Sequence, residues 1–75
     1  MSDRWSAFSD EQLVVLHVAL DLAEDRYADR AKLLRSNGHA ADAAQNEARL
    51  DVARELGEAV DAAILARGGW PGDAE

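Results

Sequence analysis

A chain of 75 residues is long enough for one small domain, and it buries too small a fraction of its surface to be very stable alone. It contains no cysteine, so neither a disulfide framework nor a thiolate zinc site can reinforce the fold, and association with another chain remains. With 15 acidic residues against 8 basic ones, the net charge of −7 argues against direct binding of nucleic acid.

The sequence also bears on localisation and origin. Its N-terminal residues lack the pattern of a signal peptide, and no apolar run approaches the roughly 20 residues that cross a membrane. We therefore expect a cytoplasmic protein without membrane contact. Alanine is frequent and Lys32 is the only lysine among the basic residues, a bias typical of a high-GC bacterium or a bacteriophage of such a host.

The first predicted helix begins at a capping pattern. Ser9 stands at the N-cap position, and Gln12 lies three residues later, where its side chain can return a hydrogen bond. Apolar residues then recur at helical spacing until Gly38, which suits the left-handed conformation that ends helices. These signals predict a helix over about residues 10–36.

A second helix is predicted over about residues 40–67, interrupted only by Gly57, which we expect to mark a close contact between helices. Two helices of similar length joined by a tight turn indicate an all-α, antiparallel two-helix hairpin that forms a single domain. Residues 71–75 resemble a flexible tail.

Projection of the two helices gives each an apolar side that faces the other. The residues predicted in this intrachain core are Leu13, Leu16, Leu20, Tyr27, Leu34, Val52, Leu56, Val60 and Ile64.

The first helix has a second apolar stripe that one partner helix cannot cover. It consists of Val15, Val18, Leu22 and Leu33. A contiguous apolar stripe of this kind marks an interface, so the sequence predicts a homodimer that forms a four-helix bundle around the paired first helices.

Polar side chains interrupt the predicted core near the turn, where Tyr27, Arg30, Arg49 and Gln45 project inward. Arginine recognises carboxylate and phosphate groups well, so these residues form either a small anion-binding pocket or a structural polar layer that fixes register. The sequence favours the polar layer and leaves the pocket open.

His17 and Asp21 lie one helical turn apart, a spacing that suits either a shared metal ion or an ordinary side-chain pair. We favour the pair, and we predict no metal and no cofactor.

Glu55, Glu58 and Asp61 recur at three-residue spacing in the second helix, and Asp21 and Glu24 lie in the first. This pattern resembles the ExxE and ExxD pairs with which all-α nucleoside triphosphate pyrophosphohydrolases of the MazG type hold magnesium. The resemblance covers only these positions, and it implies a metal-dependent nucleotide hydrolase as a remote alternative. Projection turns the second-helix carboxylates toward solvent, which favours a solvated acidic face.

The sequence therefore favours a small acidic protein–protein interaction module, not an enzyme, that acts as a homodimer and contacts an unidentified protein partner. The candidate residues for partner binding are Trp70, Glu55, Glu58 and Asp61. The alternative is an acidic inhibitor, of the antitoxin, anti-restriction or anti-CRISPR type, that occupies a basic nucleic-acid-binding surface on its target.

Overall fold

Two long helices make up most of the chain. The structure, a computed structural model, describes residues 4–70, and the predicted flexible tail at 71–75 lies outside this range. Helix α1 spans Asp10–Ser36 and helix α2 spans Ala40–Ala66. They pack against each other along their length, and no strand occurs within residues 4–70, so the predicted all-α hairpin is confirmed.

A capping box fixes the start of α1. The Ser9 hydroxyl oxygen accepts a hydrogen bond from the Gln12 backbone N–H at 3.0 Å, and the Ser9 N–H donates to the Gln12 side-chain oxygen at 2.8 Å. Each bond satisfies a donor that the first turn of a helix leaves without an intrahelical partner. The end of α1 is fixed by Gly38, whose φ of 81° is the left-handed conformation that stops an α-helix.

At this glycine the chain closes a Schellman turn. The His39 N–H donates to the Leu34 carbonyl oxygen at 2.8 Å, and the Gly38 N–H donates to that of Arg35 at 3.2 Å. The turn reverses the chain within a few residues and so sets α2 beside α1.

Small and large residues share the inner face of α2. Seven of its buried or half-buried positions alternate at spacings of three and four, which is the seam of a coiled coil. They are Ala43, Asn46, Leu50, Ala53, Gly57, Val60 and Ile64. This seam corrects part of the predicted core, because Val52 is 55% exposed and Leu56 is 36% exposed. Ala53, rather than its larger neighbour, faces α1, because a short side chain lets the helices approach closely.

The other predicted core residues lie between the helices to different degrees. Leu13, Val60 and Ile64 are buried and form one cluster, whereas Leu16, Leu20, Tyr27 and Leu34 are half-buried. Aromatic side chains close this cluster at the open end of the hairpin; they are Trp5, Phe8 and Trp70. Most of the large-residue packing is therefore at the open end, and the half near the turn packs mainly through alanines.

Arg67 ties the two ends of the described chain together. Its guanidinium donates to the backbone carbonyl oxygens of Trp5 at 2.6 Å and Phe8 at 2.7 Å, and it pairs with the Asp10 carboxylate at 3.1 Å. One side chain at the end of α2 thus holds the segment that leads into α1. Within residues 4–70, neither helix has the length and apolar character needed to span a bilayer.

Candidate interaction surfaces

The two sides of the hairpin differ in chemistry. On one side, a groove is lined by the first half of α1 together with Phe8, and a second lies between α1 and α2; apolar side chains line most of both. We call this side the apolar face; it comprises Val15, Leu16, Ala19, Leu20, Ala23, Val52 and Leu56. Val52 and Leu56 of α2 line only the groove between the helices, and that groove exists only once the hairpin has formed.

The predicted dimer stripe is exposed along α1. Val15, Val18, Leu22 and Leu33 are each at least half exposed in the single chain. We call these residues the outer stripe. Val18 and Leu22 each lie two residues from Leu20, which places them about 160° around the helix axis from it. The outer stripe therefore points away from α2, and apart from Val15 it is separate from the apolar face.

The opposite side is polar. A groove there is lined by His17, Glu24, Arg54, Gly57, Glu58 and Asp61. Arg54 forms an ion pair with Glu24 at 3.5 Å across the two helices. A Cβ added at Gly57 would come no nearer than 4.0 Å to a Glu24 carboxylate oxygen, an ordinary contact. The expected close helix contact at Gly57 is therefore wrong.

Trp70 packs on its own hairpin at the edge of this polar groove. Its indole N–H donates to the Asp61 carboxylate at 3.0 Å, and its ring meets the His17 ring edge-on with 4.6 Å between centroids. Two residues predicted to bind a partner, Trp70 and Asp61, are thus bound to each other. His17 has an aromatic neighbour, and its expected pairing with Asp21 does not form within the described chain.

The remaining candidate carboxylates lie on the surface of α2. Glu55 and Glu58 are exposed, as is Asp51 nearby. Within residues 4–70, no three His, Asp or Glu side chains are arranged to hold a metal ion. Of the MazG-like pattern, Glu24 of α1 lines the same groove as Glu58 and Asp61 of α2, while Glu55 is exposed outside it.

The polar residues near the turn separate into two places. Tyr27 is half-buried and lines the same groove as Arg49, whereas Arg30 lines a different groove with Arg26 and Asp29. Neither Arg30 nor Arg49 forms an ion pair within residues 4–70. Gln45 is exposed and lines neither groove. The four residues predicted as one pocket or layer are therefore not lined up around one cavity, and both arginine charges remain available on the surface.

Sequence reasoning missed the exposure of Val52 and Leu56. It selected the largest apolar side chains of α2 as the core, whereas the structure uses the positions at alternating spacings of three and four. Both sets of positions recur at helical spacing in the sequence, so periodicity alone does not separate them. Comparison of the chain with protein-family models, curated proteins and solved structures finds no match.

Proposed function

We propose that this protein is a non-enzymatic interaction module of bacterial or phage origin that acts as a homodimer. The observation that carries the proposal is the amount of large apolar surface that the single hairpin leaves in water. Exposed aliphatic side chains occur on the outer stripe of α1 and, with Val52 and Leu56, on α2 as well.

Each of these aliphatic side chains favours burial over contact with water. Leaving one large aliphatic side chain in water forgoes about 1.5 to 3 kcal/mol of burial free energy. A short chain without disulfides has few other sources of stability. A second hairpin supplies the missing apolar surface in a symmetric arrangement, and four packed helices are a common stable solution.

Sedimentation at micromolar concentration tests the dimer directly. The chain has a mass of 8.1 kDa, and we expect the folded protein to sediment with twice this mass. Helical content is measured on the same sample by circular dichroism. A well-folded monomer at micromolar concentration would contradict the proposal.

The dimer would present its acidic surface to a further protein. Asp51, Glu55 and Glu58 are exposed and have no ion-pair partner within residues 4–70, so they suit a basic surface on the partner. This observation also supports the second candidate function, an inhibitor that occupies a basic nucleic-acid-binding surface in place of phosphates.

Ionic strength tests the acidic surface that both functions use. A partner captured from the native host through a basic surface is expected to dissociate as salt rises, because exposed charges are screened. The double variant Glu55→Lys, Glu58→Lys should lose that partner, whereas Asp25→Lys on exposed α1 surface is the control. Capture that survives 0.5 M salt, a concentration on the order of several times physiological, would contradict the inhibitor.

A further inference from the structure

We propose that Asn37 is a site of spontaneous deamidation and that the turn between the two helices controls its rate. Asn37 and Gly38 are adjacent and exposed in the turn that joins α1 to α2. Within residues 4–70, the side-chain amide of Asn37 forms no hydrogen bond. This inference concerns a covalent change of the chain and does not depend on the proposed homodimer.

The reaction requires only these two residues and water. The Gly38 backbone nitrogen loses its proton and attacks Cγ, the side-chain carbonyl carbon of Asn37. The bond between that nitrogen and Cγ forms, the bond from Cγ to the side-chain nitrogen breaks, and the side-chain nitrogen takes up a proton and leaves as ammonia. Water then opens the cyclic imide at Cγ, which gives aspartate, or at the backbone carbonyl carbon, which gives isoaspartate.

A glycine after the asparagine favours this ring closure. The attacking nitrogen and Cγ belong to neighbouring residues, so the reaction is intramolecular and needs only the correct torsion angles to bring the two atoms together. Gly38 has no Cβ to crowd the approach, and a glycine backbone is the least restricted of all residues.

The folded turn keeps the two reacting atoms apart. A five-membered ring requires the Gly38 nitrogen to lie on the same side of the Asn37 Cα–C bond as Cβ. The Asn37 ψ of 8° instead places that nitrogen on the side of Asn37's own backbone nitrogen. The ring therefore cannot close until ψ of Asn37 rotates.

That rotation breaks the hydrogen bonds of the Schellman turn. The Gly38 N–H, which must lose its proton for the attack, donates to the Arg35 carbonyl oxygen at 3.2 Å. The His39 N–H donates to the Leu34 carbonyl oxygen at 2.8 Å. Deamidation of the folded protein therefore waits for a local opening of the turn.

The products change the turn in two ways. Both add a negative charge near the end of α1, where the helix dipole is already negative. Isoaspartate also lengthens the main chain by one carbon atom between the residues that the Schellman hydrogen bonds connect. The modification thus acts on the turn that sets α2 beside α1.

Asn46 is an internal control, since it is the only other asparagine of the chain. It precedes Glu47 inside α2 and is 5% exposed, and its side-chain nitrogen donates to the Asp42 carbonyl oxygen at 2.9 Å. A buried, hydrogen-bonded amide followed by a residue with a side chain should react far more slowly than Asn37.

The first experiment incubates the full chain at mildly alkaline pH, in buffer and in guanidinium chloride, and follows each asparagine by mass spectrometry of peptides. We expect Asn37 to convert at least about tenfold faster in denaturant, because only the open turn reacts. Asn46 should convert more slowly than Asn37 in both. Equal rates for Asn37 in both solutions would overturn control by the turn, and conversion of Asn46 as fast as Asn37 in denaturant would overturn the site.

Two variants then distinguish opening of the turn from unfolding of the whole hairpin. His39→Pro removes the N–H that bonds to Leu34, whereas Ile64→Val shortens a buried side chain at the far, open end. The rate in buffer divided by the rate in denaturant corrects each variant for any change in intrinsic reactivity. Circular dichroism measures whether each remains helical.

We expect His39→Pro to raise this ratio at least about fivefold, as the loss of one hydrogen bond allows, and Ile64→Val to change it less than about twofold. Equal increases in both variants would overturn local opening in favour of global unfolding, as would no increase in a helical His39→Pro. If His39→Pro does not fold, the wild-type rates and Ile64→Val still decide, because a clear increase in Ile64→Val alone contradicts control by the turn.

Discussion

At the scale of single residues, Arg67 makes the longest-range polar contacts of the described chain. Its guanidinium donates to the carbonyl oxygens of Trp5 and Phe8 and pairs with Asp10, all more than fifty residues earlier. The side chain is only 27% exposed, so water replaces these bonds poorly. Its role is to hold the aromatic segment before α1 over the open end of the core.

Replacing Arg67 by alanine should therefore lower the free energy of unfolding by about 1.5 to 3 kcal/mol, the range for hydrogen bonds that involve a charged group. Arg67→Lys should recover part of this loss, since it keeps the charge and lacks the planar fork. Urea unfolding followed by circular dichroism, at one fixed protein concentration, measures both. An alanine variant as stable as the wild type would show that the aromatic segment holds itself in place.

Replacement by alanine should change the free energy of unfolding in opposite directions at Gly57 and at Gly38. Gly57 lies inside α2, where an added Cβ meets only a carboxylate oxygen at 4.0 Å, so Gly57→Ala should stabilise the protein by about 0.5 to 1 kcal/mol. Gly38 has a φ of 81°, so Gly38→Ala should destabilise it by about 1 to 2 kcal/mol. Thermal unfolding compares them, and a destabilising Gly57→Ala would indicate a contact that the single chain lacks.

At the scale of elements, the start of α1 is set by its own local sequence, whereas the start of α2 is set by the preceding turn and by packing against α1. The capping box of α1 depends on residues three apart, and it places the helix start at Asp10. Helix α2 begins after His39, whose side chain makes no capping bond. Its position depends instead on the Gly38 turn and on the small-residue seam against α1.

Removal of the α1 cap should therefore weaken the protein measurably. Ser9→Ala deletes the acceptor of the Gln12 N–H, and we expect a loss of about 1 kcal/mol in the free energy of unfolding. Ser36→Ala is the matched control, because that hydroxyl donates to the Lys32 carbonyl oxygen at the exposed far end of the helix and should contribute little. Equal losses from both changes would argue against a specific role for the capping box.

At the scale of the whole molecule, the single hairpin has its large-residue core at one end and two uncovered apolar surfaces. If a second copy completes it, folding and association are coupled, and the midpoint of thermal unfolding must rise with protein concentration. We expect a clear rise between 1 and 100 µM, a range on the order of a hundredfold. A midpoint that stays constant across this range would show that the hairpin is stable without a partner.

The local signals in the sequence determined the all-α hairpin. A capping box, a helix-ending glycine and two helical periods act over a few residues, so each can be read without knowing what lies across the fold. The burial of Leu13, Val60 and Ile64 also agrees with the expected inner faces, because large apolar residues there recur at helical spacing.

Only the tertiary structure decided how α2 is rotated about its own axis. Side-chain size suggested Val52 and Leu56 for the core, but close approach of two helices favours Ala53 and the other short side chains at the seam. That rotation brings Val52 and Leu56 to the edge, where they join residues of α1 in one apolar face. Packing between distant segments sets the rotation, so periodicity within either helix alone could not reveal this face.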